Sequence, residues 1–164
     1  MLCAQLLFAG RRLTEGRVAE VRPAADRDLS VVRLLLEQAG LPTSDLATSK
    51  PEFTVLWDDG RIVGAGALEL YGSAALARSV VVATDRRGAG LGGIIMQELE
   101  KVARGARIGR LILLTQTAAE FFARHGYRII GRNEVPQDIQ GSEEFRSLCP
   151  AAAICMGKVV SDSR

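Results

Sequence analysis

Residues 87–92, Arg-Gly-Ala-Gly-Leu-Gly, are the stretch of this chain best suited to chemistry. They lie between a β-branched run, Val80-Val81-Val82, and a segment with apolar residues at Ile94, Ile95, Leu99 and Val102, the spacing of one helix face. Glycines let a backbone turn tightly and approach a ligand with no Cβ in the way. Amides at a helix start lack intrahelical partners, and the helix dipole adds partial positive charge there. Strand, glycine turn and helix N-terminus together predict an anion cradle suited to phosphates. The spacing lacks the Lys-Ser/Thr pair of a P-loop. It also departs from the dinucleotide pattern GxGxxG, and it follows a hairpin rather than opening a first βαβ unit. The plain alternative is a loop whose glycines serve geometry alone.

Other reactive side chains are few. His125, the single histidine, stands just before Gly126 at a helix end, where a partly positive imidazole suits the dipole. That placement favours a structural role over catalysis. Cys3, Cys149 and Cys155 show no CxxC spacing and with one histidine make no zinc site, so no metal is expected. Free thiols fit a reducing cytoplasm. A formal charge of +2 argues against a nucleic-acid partner held on a basic face.

The elements that must position these residues read as one domain of 164 residues, 48% hydrophobic and 24% charged. Met1 to Gly10 is apolar and precedes Arg11 and Arg12, the reverse of a secretory signal, and it is too short to span a bilayer. No membrane segment is expected. Residues 1–18 read as an extension, 19–160 as the domain and 161–164 as a tail. Residues 19–23 read as a first strand. Asp26 can cap a helix over about 27–39, with Leu29, Val32, Leu35 and Leu36 on one face and Gly40 as its stop. Residues 41–50 are a loop with room for a short helix that could line a substrate opening. Phe53–Trp57 and Arg61–Leu70 read as strands around Asp58-Asp59-Gly60, a strong hairpin signal. A second turn at Tyr71-Gly72-Ser73 leads into a strand over about 75–82, whose valine end reads as buried on both faces. Leu111–Leu114, a short helix over 118–124, a strand from Tyr127 and a last one within 151–159 complete the pattern. Strands and helices at this spacing predict an α/β layered fold with a mixed, mainly antiparallel central sheet flanked by helices on both faces.

The turn Arg-x-x-Gly-x-Gly after a β-branched strand, itself after an Asp-Gly hairpin, resembles the GNAT superfamily of acetyltransferases. The likeness runs from Val21-Arg22-Pro23-Ala24 to the last strand, with Gly64 in the third strand and Phe121-Phe122-Ala123-Arg124-His125-Gly126-Tyr127 similar to that family's F-Y-x-x-x-G-F. The resemblance implies acetyl-CoA as co-substrate and direct transfer with no covalent enzyme intermediate. It puts the pyrophosphate on Arg87, Gly88, Ala89, Gly90, Leu91 and Gly92, and the pantetheine arm on the backbone of Val80 and Val82. Thr115 and Phe122 stand where the family commonly has asparagine and tyrosine. Phenylalanine offers no hydroxyl to protonate the leaving thiolate, so the general acid is open. A homodimer is a family-level expectation. Leu68–Gly72, Ala77–Val80, Leu113–Thr117 and Phe145–Pro150 resemble, more narrowly, a branch associated with arsenic resistance, which implies a small amine acceptor such as an amino-acid-like arsenical or phosphinate.

Acetyl transfer needs the amine deprotonated and the carbonyl polarised. The amide near Val82 is the candidate for the thioester oxygen. Glu69, which interrupts an apolar strand near the expected cleft, is the candidate base; the competing reading is a solvent-facing edge residue. Arg78 could grip a substrate carboxylate or phosphinate, or could pair with Glu69 across the hairpin. Ser79 could lend a hydroxyl to substrate, and Cys149 reads as packing or a soft substrate contact. A protein or peptide acetyltransferase and a non-catalytic acyl-CoA sensor are the alternative functions.

Overall fold

The computed structural model describes residues 12–14 and 17–161. Most of the 1–18 extension and residues 162–164 of the tail lie outside the described residues. Within the extension, β1 (Arg12–Thr14) and β2 (Arg17–Val18) pair antiparallel.

The main sheet has seven strands: β3 (Glu20–Pro23), β4 (Glu52–Asp58), β5 (Arg61–Tyr71), β6 (Ala74–Val82), β7 (Arg110–Thr115), β8 (Arg128–Ile129) and β9 (Ile154–Val159). Their order is β3-β4-β5-β6-β7-β9-β8. Every neighbouring pair is antiparallel except β6–β7, which is parallel. The helices that flank the sheet are α1 (Leu29–Gln38), α2 (Leu46–Ser49), α3 (Leu91–Gly105), α4 (Ala119–Arg124) and α5 (Gln137–Gln140). The mixed α/β layers follow the reading of the sequence.

Turn chemistry sets the hairpins. Asp59 and Gly60, with φ of 54° and 76°, join β4 to β5, and Gly72 at φ 63° helps turn β5 into β6. Alternate residues of β6 and β7 then feed two apolar clusters. Ala75 and Leu111 join Ile95 and Leu99 of α3 in the larger one. Leu76 and Ile112 meet Ile139 and Phe145 in the smaller one. A Cβ on Gly66 would come within 2.8 Å of Ile95 and 2.9 Å of Leu99, so glycine there lets α3 lie close against β5.

Two local expectations around the first helix differ from the structure. A 3-10 turn over Asp26–Asp28 precedes α1, and the side chain that takes an amide there belongs to Asp28, which accepts from the Ala25 N–H at 2.7 Å. Asp28 also pairs with Arg22, which fixes it at this position. Leu29 is exposed while Val32, Leu35 and Leu36 are buried, because the helix proper begins only at Leu29. The connection before β9 holds a π-helical turn, Glu144–Leu148, that tucks Phe145 into the smaller cluster.

Candidate functional site: a cleft where two strands part

β6 and β7 pair only over Ala74–Leu76 and Arg110–Ile112. Beyond that point both strands continue without pairing to each other, and Val80 and Val82 are half-buried rather than enclosed on both faces. The parting coincides with a bulge. Between the pairs Ala65↔Val81 and Ala67↔Arg78, β6 holds one residue more than β5. Ser79 sits in that bulge with φ 55°, a left-handed conformation uncommon for serine and of the kind that clusters at functional sites. A bulge bends and twists the strand that carries it, and β6 resumes its pairing with β5 beyond this one, at Val81 and Val82.

The gap between the strands is a cleft of about 740 Å³. One wall is β6 from Ala77 to Val82, and the facing wall is the end of β7 with residues 116–118. Phe121 and Phe122 of α4, the segment 39–42, and Glu144, Leu148, Cys149 and Pro150 complete the lining. Arg87 and Gly92 of the glycine turn border its mouth.

That turn has the conformation an anion cradle requires. Gly88 and Gly90 have φ of 79° and 78°, and a Cβ on either would meet nothing within 4 Å. Gly90 is the residue from which α3 starts, so the first amides of a 15-residue helix open at the cleft mouth. Ala83 donates its N–H to Val63 of β5 at 2.7 Å. Backbone groups alternate sides along a strand, so Val82 faces the opposite edge, where β7 has already left. The Val82 carbonyl on that edge accepts from Arg87 Nε at 3.2 Å. Its amide is the donor left to the cleft.

Thr115 ends β7 at the cleft wall, and its Oγ1 accepts the Ala118 N–H at 3.0 Å, tying down the start of α4. Phe122 packs edge-on to Phe121 and Tyr127, with ring centroids 5.0 and 5.8 Å away, and shows one face to the cleft. Gly92 and Gly93 leave room for Phe121 and for the His125 ring, which lies against the start of α3. Cys149 lines the cleft and points its thiol at Glu144 Oε1, 3.4 Å away. Burial first, and then the Glu144 carboxylate, push that thiol up to about 12.

Arg78 is fully buried, and three carboxylates surround it. Nη1 and Nη2 form a bidentate pair with Asp45, at 2.5 and 2.9 Å. Nη1 also reaches Glu69 Oε1 at 2.5 Å, and Nη2 stands 3.0 Å from Glu144 Oε2. The cross-strand pairing of Arg78 with Glu69 is therefore present, alongside two partners that sequence reasoning missed. Glu69 is itself buried and accepts the Tyr71 hydroxyl at 2.6 Å. It lines a separate, smaller depression with Ser49, Lys50 and Tyr71 rather than the cleft. Arg78 and Ser79 border the cleft, with Ser79 Oγ 3.4 Å from Arg78 Nε. Asp45 belongs to the loop expected to line an opening, and Glu144 to an irregular connection; neither position carries a periodic signal. Among the described residues, no cluster of His, Cys, Asp and Glu is arranged to hold a metal, and no helix is long and apolar enough to cross a membrane.

Known proteins share this fold. Residues 49–129 match the acetyltransferase (GNAT) domain family. The chain is 35% identical over 91 residues to the uncharacterized N-acetyltransferase YjcF of Bacillus subtilis, covering 55% of this chain and 65% of that protein. It is 37% identical over 81 residues to an amino-acid acetyltransferase of Mycobacterium tuberculosis, covering 49% of this chain and 46% of the relative. The chain thus spans less than two thirds of the length of these curated relatives. Among solved structures, Mycobacterium tuberculosis Rv2747 in complex with CoA and NLQ superposes with a TM-score of 0.73 at 28% identity, covering 85% of this chain and 98% of that one. N-acetylglutamate synthase from Neisseria gonorrhoeae, complexed with coenzyme A and N-acetyl-glutamate, shares the fold with a TM-score of 0.76 at 21% identity, covering 88% of this chain and 35% of that one. This chain carries a GNAT acetyltransferase domain.

Proposed function

We propose that the protein is an acetyl-CoA-dependent N-acetyltransferase acting on the amine of a small, amino-acid-like molecule. The observation that carries this reading is the coincidence of the strand parting with the glycine cradle at the mouth of one cleft. The residues fit the co-substrate. The amides of Arg87, Gly88, Ala89, Gly90, Leu91 and Gly92 would hold its pyrophosphate, and the free edge of Val80 and Val82 would hold its pantetheine arm. Bound there, acetyl-CoA supplies an acetyl group activated as a thioester. The Val82 N–H, already turned to the open edge, would take the carbonyl oxygen as charge develops on it. Phe122 and Thr115 form the wall beside the reacting atoms without offering an acid, so solvent protonates the leaving thiolate.

An amino-acid-like acceptor is supported by the amino-acid acetyltransferase of Mycobacterium tuberculosis among the relatives. In its narrowest form the acceptor is an arsenical or phosphinate analogue, as in arsenic resistance; its support is the segment resemblance alone. The free thiols of Cys149 and Cys155 fit a cytoplasmic setting, and the exposed Ile129 and Val159 fit a homodimer along the β8–β9 edge. A non-catalytic acyl-CoA sensor is the second reading, favoured by the absence of a hydroxyl at Phe122.

Free-thiol release from acetyl-CoA, with amino acids and phosphinate or arsenical analogues as acceptors, tests the proposal. Calorimetry with acetyl-CoA tests the cradle by itself. Asp and Asn both tolerate the left-handed conformation at Gly88, where a side chain meets open space. Gly88→Asp is expected to weaken acetyl-CoA binding about tenfold, ~1.4 kcal/mol, with Gly88→Asn much closer to wild type. Tight binding with no thiol release from any acceptor would favour the sensor. No binding at all overturns the reading.

A further inference from the structure

We propose that Glu144, on the cleft wall, is the base that takes the proton of the acceptor amine, and that the acceptor enters as an ammonium ion attracted by an under-neutralised carboxylate cluster. This rests on the acetyltransferase reading above and deepens it.

Three carboxyl groups surround Arg78, and only one is placed to serve. Both oxygens of Asp45 are engaged by Arg78. Glu69 spends one oxygen on Arg78 and the other on the Tyr71 hydroxyl. Glu144 is different. Its Oε1 meets only the Cys149 thiol, a weak donor, at 3.4 Å. Its Oε2 is buried and receives no hydrogen bond; the 3.0 Å approach to Arg78 Nη2 is an ion pair without hydrogen-bond alignment. Glu144 lines the cleft, whereas Asp45 and Glu69 do not. A residue 7% exposed with an unsatisfied carboxylate oxygen is costly unless something completes it.

Charge states what that something is. One guanidinium among three carboxylates leaves a formal charge of −2 when all are ionised. A cationic acceptor offsets part of that excess and brings N–H donors for the free oxygen. The electrostatics favour the same group as base. Burial, with Asp45 and Glu69 nearby, raises Glu144 above the ordinary carboxyl range, against the opposing pull of Arg78 and the Cys149 thiol. A carboxyl titrating closer to the working pH accepts a proton more effectively in the transition state.

The step balances. An N–H bond of the ammonium breaks and an O–H bond forms on Glu144. The freed nitrogen lone pair bonds to the thioester carbonyl carbon, and the C–S bond breaks. The thiolate gains the second nitrogen proton through solvent, and Glu144 returns its own proton to bulk water.

Glu144→Gln tests this with acetyl-CoA and the twenty L-amino acids as acceptor probes. The expected result is a fall in kcat/KM of about a hundredfold or more, with loss of the acidic limb of its pH profile. Acetyl-CoA affinity by calorimetry should stay within about twofold, since Glu144 belongs to neither the glycine turn nor the free edge of β6. In the unliganded protein, infrared titration should show a protonated carboxyl band that persists above the ordinary range and vanishes in the variant. A kcat/KM within about threefold of wild type overturns the assignment, as does an unchanged pH limb or a persistent band. So does wild-type protein that binds acetyl-CoA but acetylates none of the probes. Failure to bind acetyl-CoA at all overturns the acetyltransferase reading instead, so the two failures are separable.

Discussion

Two buried acid clusters in this molecule use similar side chains and reach different balances. Against α3, Glu100 accepts Lys158 Nζ on both oxygens at 2.9 Å and the Tyr127 hydroxyl at 3.3 Å, with Arg104 4.0 Å away. Lys158 also donates to the His125 carbonyl at 2.9 Å. One carboxylate there meets two cations and a phenol, and both oxygens are satisfied. Beside the cleft the proportion is reversed, with one cation shared by three carboxylates and one oxygen left without a hydrogen bond. The first arrangement braces α3 against β9 and asks nothing of a ligand. The second is incomplete by itself, and it is the one that opens on a cavity. Burial of charge alone does not separate support from function; the state of satisfaction does.

Removing the shared cation should break the comparison most severely. Arg78→Met leaves Asp45, Glu69 and Glu144 buried together with no counter-charge, and such a change costs about 3–5 kcal/mol. Urea unfolding should show that loss, or no folded protein at all at neutral pH. A variant within about 1 kcal/mol of wild type would mean that the carboxylates are hydrated and the cluster is looser than its distances indicate. The matching change at the other cluster is milder. Lys158→Met leaves Glu100 with Tyr127 and Arg104, and Lys158 is itself about a quarter exposed. A cost of about 1–3 kcal/mol is expected, with little effect on acetyl-CoA binding. An equal loss from the two variants would mean that the two clusters are balanced alike.

The sequence exposed the scaffold of the site more readily than its charges. The glycine turn, the Asp-Gly hairpin and the β-branched end of β6 are local signals, because turn geometry and phosphate binding depend on residues adjacent in the chain. The parting of β6 from β7 is not local: it needs the Ser79 bulge and a partner strand nearly thirty residues on, and Val80–Val82 read as an enclosed strand without it. Arg78 and Glu69 stood out as charges in apolar strands. Asp45 sits in a loop and Glu144 opens a π-helical turn in an irregular connection, where acidic residues are ordinary, and only the fold brings them to a guanidinium 33 and 66 positions away in the sequence. Glu69 shows the limit of such reasoning, since its spacing toward Arg78 was visible while the Tyr71 hydroxyl that occupies its second oxygen was not.

The smallest expected effect concerns the pH dependence of stability, and it reads the imbalance directly. Burial raises Glu144 in the folded chain above its ordinary value of 4.5, so the native state holds that proton more tightly than the unfolded one. This contribution is fully present below that value and is lost as pH rises through the folded-state titration. Asp45 acts in the opposite sense: burial opposes its ionisation, but the hydrogen bonds and charge of Arg78 hold it below its ordinary 3.8. Its contribution is present above that value and lost on acidification. Glu144→Gln removes the first effect and keeps the second. Its melting temperature relative to wild type should therefore climb as pH rises from about 4.5, with a gain at alkaline pH smaller than either loss above. Melting curves for the two proteins that run parallel across that range would show that the native cluster never holds the extra proton. The excess negative charge would then be dispersed by solvent, and the contrast with the satisfied Glu100 cluster would be one of geometry alone.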